Sequence, residues 1–467
     1  MYEVENLIGG SWTGGSGPRL TVTSPFDGSD VTTVAIASEA DVTAAVRSAR
    51  HTAPAWGRTP AGVRGAALHA AADAVEAAAD ELAAIMSAEM GKPVGGAKDS
   101  IGAGVGTLRQ YAELGPTHRG RTLAGNDEAI DVMAYGPRGV VAVITPWNDP
   151  VAVSCGLLGA ALVTGNAVIY KPSERTPATG WRLARLFAPH FPDGVFSLLS
   201  GDGSVGAALA SADVDVVAQV GSTTTGRSIA AACARTGAKA LLENGGSDPL
   251  IVDAGVDPAW AAQQAALGAF ANSGQICVAV ERIYVHRDVA PAFLDALAVE
   301  ADKWAGDIGP LVDRRLRDAV HAQVGAAVAA GATVVRGGAL PEGPGAYYPP
   351  TVLAGCTDDM EVIREETFGP VAPVVTVDSF GAALARASDS PYGLAATVLT
   401  GSMSHAQQAW RELPVGTVKV NAVFGGAPGG AAHPRRGSGQ GFGYGPELLD
   451  EMTVTKAVHI EAPPAGW

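Results

Sequence analysis

Residues 140–174, VVAVITPWNDPVAVSCGLLGAALVTGNAVIYKPSE, decide the fold class. The stretch opens on the apolar run Val140-Val-Ala-Val-Ile144 and closes on Ala167-Val-Ile-Tyr170. Both runs are continuous rather than alternating, as in parallel strands buried on both faces. Between them, Val151 to Val163 is apolar but too short to cross about 30 Å of hydrocarbon. It reads as a buried helix that turns at Gly165-Asn166 into the next strand. Strand, helix and strand in this order make a βαβ unit. The alternation continues outward, with strand-like runs at Val195–Leu199 and Ala240–Leu242. A second set begins after Gly245, including Leu250–Val252 and Ala332–Val335. Upstream, about Ala61 to Met90 carries Leu68, Val75, Leu82, Ile85 and Met86 at helical spacing, and stops at Gly91 with Pro93 beyond. The expectation is α/β, with two doubly wound domains.

Composition narrows the function classes. The 467 residues carry a net charge of −15 and no run of Lys and Arg, so a nucleic-acid partner is not expected. The opening MYEVENLIGGSW is acidic where a signal peptide is basic, and no membrane span is expected either. The four cysteines, Cys155, Cys233, Cys277 and Cys356, show neither CxxC nor His-paired spacing. A disulfide scaffold and a metal site are therefore not expected, and a reducing, cytoplasmic location is.

In doubly wound sheets, ligands collect at the carboxyl ends of the strands. The residues that follow each run here are Thr145-Pro-Trp-Asn148, Lys171-Pro-Ser-Glu174, Ser200-Gly-Asp-Gly-Ser-Val-Gly206 and Glu243-Asn-Gly-Gly246. Gly201 to Gly206 fits GxGxxG, which reads either as a pyrophosphate cradle or as a tight turn that needs small residues. Val220-Gly-Ser-Thr-Thr-Thr-Gly226 is a second place where a helix start could meet a phosphate.

Eight motifs in order then resemble the aldehyde dehydrogenase superfamily, from about residue 7 to the C-terminus. They are EMGKP (89–93), ITPWN (144–148), KPSERTP (171–177), GST (221–223), LENGG (242–246), FANSGQIC (270–277), EETFGPV (365–371) and SGQG (438–441). The 34 residues between Glu243 and Cys277 match the spacing of the family's hydrolytic members. The resemblance implies a Rossmann-like cofactor domain (1–116 and 138–245) and a catalytic domain (246–440). A small β oligomerisation element (117–137 and 441–467) would join the chain into a homodimer or homotetramer.

It also implies roles. A soft nucleophile adds to an aldehyde carbonyl, and Cys277 would be that thiol, reacting as thiolate. The Asn148 amide and the Cys277 backbone N–H would hold the oxyanion, and Glu243 would activate water against the thioester. NAD, with NADP as an alternative, would lie along Ile144, Thr145, Pro146 and Trp147. Lys171, Ser173 and Glu174 would meet the adenosine ribose, Ser222 the pyrophosphate, Glu366 the nicotinamide ribose and Phe368 the ring. Gly201, Gly221, Thr225, Asn244 and Gly245 complete the cofactor set. Glu174 can accept from both ribose hydroxyls but repels a 2′-phosphate, which favours NAD.

The chain departs from the family pattern at Asn244, Ser247, Gln219-Val220, Phe442-Gly443 and a short 303–310 segment. None of these is expected to touch Cys277, Glu243 or Asn148. Arg435 and Arg436 lie in the loop from Phe424 to Arg436, where the family closes its substrate tunnel. They read as solvated charges or as partners for a substrate carboxylate. Two other functions are weighed: a CoA-acylating dehydrogenase, against which the carboxylate Glu243 argues, and a non-catalytic NAD-binding protein.

Overall fold

The computed structural model describes residues 1–426 and 430–463. The chain builds two large sheets. In the first, Lys239–Glu243, Val216–Val220, Val140–Ile144, Ala167–Lys171 and Phe196–Leu198 run parallel in that spatial order. Short antiparallel strands extend both edges, Gly439–Gln440 beside Lys239–Glu243 and the Asn6–Ile8 and Ser11–Thr13 pair beside Phe196–Leu198. The chain works outward from Val140–Ile144 in one direction and then returns to Val216–Val220 on the other side. That reversal opens a crevice beyond the tips of these two strands.

Burial explains the apolar runs. Every residue of Val140–Ile144 and Ala167–Lys171 is buried, as is all of helix Pro150–Val163 except Ala152 and Val153. Truncating one such side chain, Ile169 for example, to alanine would cost about 2–5 kcal/mol.

The second sheet orders Thr333–Arg336, Thr351–Ala354, Val371–Val377, Val280–His286, Asp248–Val252, Ala395–Leu399 and Thr417–Val420. All pair in parallel except Thr333–Arg336. That segment, read from sequence as one more repeat of the buried pattern, is instead a largely exposed antiparallel edge strand. A second correction concerns residues 61–90, which form two helices, Ala61–Ala77 and Ala79–Met90, broken at Ala78. Both bury the same kind of face, so the apolar spacing runs through the break unmarked.

Arg121–Thr122, Ala129–Pro137 and Thr453–Glu461 form a separate three-stranded antiparallel sheet. Ile130, Tyr135, Val454 and Ile460 are exposed on it. Among the described residues, no helix is long and apolar enough to cross a membrane.

Candidate active site

The strand tips of the first sheet and the loops leading into the second line one cleft of about 1050 Å³, at the upper end of volumes typical of ligand sites. Ile144, Thr145, Pro146, Trp147 and Asn148 follow one strand, and Lys171, Ser173 and Glu174 follow the next. Gly221, Ser222 and Thr225 stand at the start of helix Thr223–Thr236. Asn244, Gly245, Glu366 and Phe368 close the far side, with Cys277 among them. Gly201 does not line the cleft. A side chain at Gly201 would meet Val205 and Ile36, and the wall belongs to Gly203 and Gly206 in the helix that follows.

Two acceptors on this wall lack a protein partner among the described residues. The buried side-chain oxygens of Gln219 and Asn244 are unpaired. The Lys171 ammonium, 3% exposed, bonds the Pro172 carbonyl at 3.1 Å and lies 3.9 Å from Glu174. Burial lowers its pKa, and the nearby Glu174 and Asp202 oppose that. Ser222 spends its hydroxyl on capping the helix at Thr225 N, leaving other first-turn N–H groups facing outward. Unpaired acceptors, a buried cation and a helix start in one elongated cleft fit a dinucleotide. Trp147 meets Phe368 edge to face at 5.5 Å, and Arg175 lies over the Trp147 ring at 5.2 Å.

The half-buried Cys277 also lines the cleft, three residues before strand Val280–His286. Its Sγ lies 3.7 Å from Glu243 Oε1. Burial, followed by the charges of Glu243, Asp248, Glu366 and Asp149, pushes the thiol well above its ordinary pKa. Burial also raises Glu243, and the contact with Cys277 opposes it. The resting thiol therefore keeps its proton and directs it at the carboxylate across this contact.

The Asn148 amide donates one N–H to the Gln275 carbonyl at 3.0 Å. An amide has two such hydrogens, so the other is free to point at the thiol side. Asn272 braces the same loop, donating to Asn148 O at 3.3 Å and Gln275 O at 3.1 Å. Gln275 is held in turn, its Oε1 accepting from Val312 N at 2.8 Å. Asn272 and Ser273 carry left-handed φ of 49° and 57°, a conformation that costs about 1–2 kcal/mol per non-glycine residue.

Sequence reasoning passed over Lys92, Asn272 and Gln275, although each lay inside a motif it had recognised. Lys92 reaches within 3.7 Å of Asp149, beside Asn148. Another expectation is overturned: the Phe442-Gly443 departure does touch the catalytic groups. A β-carbon at Gly443 would fall 2.3 Å from Glu243 Oε2, so a side chain here would require the carboxylate end to shift. Likewise a β-carbon at Gly245 would fall 2.2 Å from Glu366 Oε2. Arg436 donates to the carbonyls of Ser388 and Ser390 at 2.7 and 2.6 Å and is committed to the backbone. Part of the tunnel loop read from sequence, residues 427–429, lies outside the described residues.

Doubly wound sheets with a cleft of dinucleotide size and a thiol on its lining are what an α/β oxidoreductase requires. The chain belongs to the aldehyde dehydrogenase family, whose model matches residues 12–458. A Mycolicibacterium smegmatis protein provisionally named succinate-semialdehyde dehydrogenase [NADP(+)] is 35% identical over 452 residues, covering 93% of this chain and 87% of its own. Among solved structures, an NAD-dependent aldehyde dehydrogenase from Sinorhizobium meliloti superposes with a TM-score of 0.95 at 33% identity, covering 100% of this chain and 96% of that one. An indole-3-acetaldehyde dehydrogenase of P. syringae, in complex with NAD+ and IAA, gives 0.96 at 33% identity, with 99% and 97% covered.

Proposed function

We propose that this NAD(P)-dependent aldehyde dehydrogenase oxidises its aldehyde to the free acid through a thioester on Cys277. The observation that carries the reading is the Cys277–Glu243 contact at 3.7 Å, beside an Asn148 amide already oriented by Gln275. Glu243 takes the thiol proton, and the thiolate adds to the aldehyde carbon. The free Asn148 N–H and the Cys277 backbone N–H receive the developing oxyanion. When bound, NAD(P)+ supplies the acceptor for the hydride that leaves that carbon. Glu243, its proton released to solvent, then draws a proton from the water that cleaves the thioester.

Lys171, Ser173 and Glu174 would hold the adenosine ribose, and the helix start at Gly221, Ser222 and Thr225 the pyrophosphate. Asn244, Gly245, Glu366 and Phe368 would hold the nicotinamide end. Glu174, partnered by Lys171, supports a preference for NAD over NADP. The chain would divide into a cofactor unit (1–116 and 138–245), a catalytic unit (246–440) and an oligomerisation element (117–137 and 441–467); Gly439–Gln440, at the end of the catalytic unit, pairs with the first sheet, and residues 464–467 lie outside the described residues. The exposed outer edge of Thr453–Glu461 supports pairing with a second copy.

An aldehyde panel with NAD or NADP and no CoA, followed at 340 nm, tests the reaction. Reduced cofactor should form with the wild type and not with Cys277→Ser. A strict requirement for CoA, or full activity in Cys277→Ser, would overturn it.

A further inference from the structure

The reaction above leaves the buried carboxylate of Glu281 without a task. Glu281, four residues after Cys277 and 4% exposed, is the second residue of strand Val280–His286. Its Oε2 accepts the Thr367 N–H and its Oε1 accepts the Phe368 N–H, both at 2.8 Å. These two amides belong to the turn that follows Glu366. Within it Phe368 holds a left-handed φ of 53°, which a bulky aromatic keeps only when its surroundings over-determine it. That turn aims the Phe368 ring at Trp147 across the cleft and brings Glu366 Oε1 to the Gly246 N–H at 3.0 Å.

We propose that Glu281 is a positioning residue for the dinucleotide. Its carboxylate clamps the Glu366–Phe368 turn by two adjacent backbone amides and ties that turn to the strand that follows Cys277. The inference rests on the reading that Glu366 and Phe368 meet the nicotinamide end of the cofactor.

The chemistry of the clamp requires this side chain. Only a carboxylate offers one acceptor oxygen to each of two neighbouring N–H groups; glutamine would turn its own N–H₂ against one of them. Aspartate would fall a methylene short. The position is costly, because burial and the facing carboxylates of Glu366 and Asp248 push the Glu281 carboxyl well upward, opposed by the two amides. A structural filler at this site would be better served by an apolar residue, so the clamp accounts for the acid.

The test is a graded pair, Glu281→Gln, which keeps one acceptor, and Glu281→Met, which keeps none. Steady-state kinetics and dinucleotide titration by fluorescence quenching are run on wild type and both variants. The cofactor KM should rise about tenfold or more in Glu281→Met and by less in Glu281→Gln. The kcat at saturating cofactor and the aldehyde KM should stay within about threefold. Folded variants with unchanged cofactor KM, or with a fall in kcat alone, would overturn the clamp. A wild type that binds neither NAD nor NADP would instead overturn the reading beneath it. Hydrogen exchange on the cofactor-free wild type tests the clamp without mutation. The Thr367 and Phe368 amides should be protected, and exchange as fast as in an open loop would refute it.

Discussion

Asn148→Ala isolates the oxyanion contribution. The Asn148 side chain is buried and makes one fixed hydrogen bond, to Gln275 O at 3.0 Å. Truncation removes that anchor and the second N–H, which is the one available to the oxyanion. The Gln275 carbonyl keeps a partner in Asn272 at 3.1 Å, so the thiol loop retains a brace and the loss falls mainly on the reaction. Losing one donor of this kind costs about 10²–10³ in kcat, or about 2.7–4 kcal/mol of transition-state stabilisation. The Cys277 N–H remains, which sets a floor above the uncatalysed rate. The assay is the NADH signal at 340 nm under saturating cofactor and aldehyde, with the pre-steady-state burst recorded by stopped flow. The step that forms the oxyanion should slow, so the burst should vanish together with the fall in kcat. Cofactor affinity, measured by fluorescence titration, should stay within about threefold, because truncation leaves the Ile144–Trp147 wall in place. A kcat within threefold of wild type, with the protein folded, would refute the assignment of Asn148 as a donor.

Three further outcomes follow from the same geometry. Glu243→Gln should slow the initial burst of NADH and lose about 10²–10⁴ in steady-state turnover, because thiol deprotonation and thioester hydrolysis both lack their base; unchanged burst and turnover would remove Glu243 from the mechanism. Glu366 is raised to about 7 by burial, with the Gly246 N–H opposing, so it accumulates protons as pH falls below that value. A protonated acid accepts poorly from ribose hydroxyls, so the cofactor KM should climb as pH drops from 8 to 6, and Glu366→Gln should flatten that slope. Glu174→Gln removes the charge that opposes a 2′-phosphate and should raise the NADP to NAD ratio of kcat/KM several-fold, and an unchanged ratio would assign the preference elsewhere.

Much of this molecule is legible in local sequence. The continuous apolar runs at 140–144 and 167–171 mark buried parallel strands because both faces of such strands are covered. The residues after each run mark the ligand edge for the same reason. Where local reading failed, the deciding contact was remote. The break at Ala78 leaves no trace in apolar spacing, because both helices bury an equivalent face. Thr333–Arg336 carries β-branched residues like its buried neighbours, but its place at the sheet edge leaves it exposed. Gly443 looked like a departure distant from the chemistry, yet it abuts the base. Glu281 carries no local mark of its role, which lies in contacts with the amides of Thr367 and Phe368, 86 and 87 residues downstream.

Sequence alone determined the class of fold, which follows from periodicity, and, through the family resemblance its motifs carry, which cysteine stands apart. Tertiary structure decided how Cys277, Glu243 and Asn148 converge, which glycine abuts the base, and which carboxylate grips the Phe368 turn. The reason is physical. Burial periodicity is written within ten or fifteen residues, whereas a 3.7 Å contact between side chains 34 residues apart depends on how two sheets are joined.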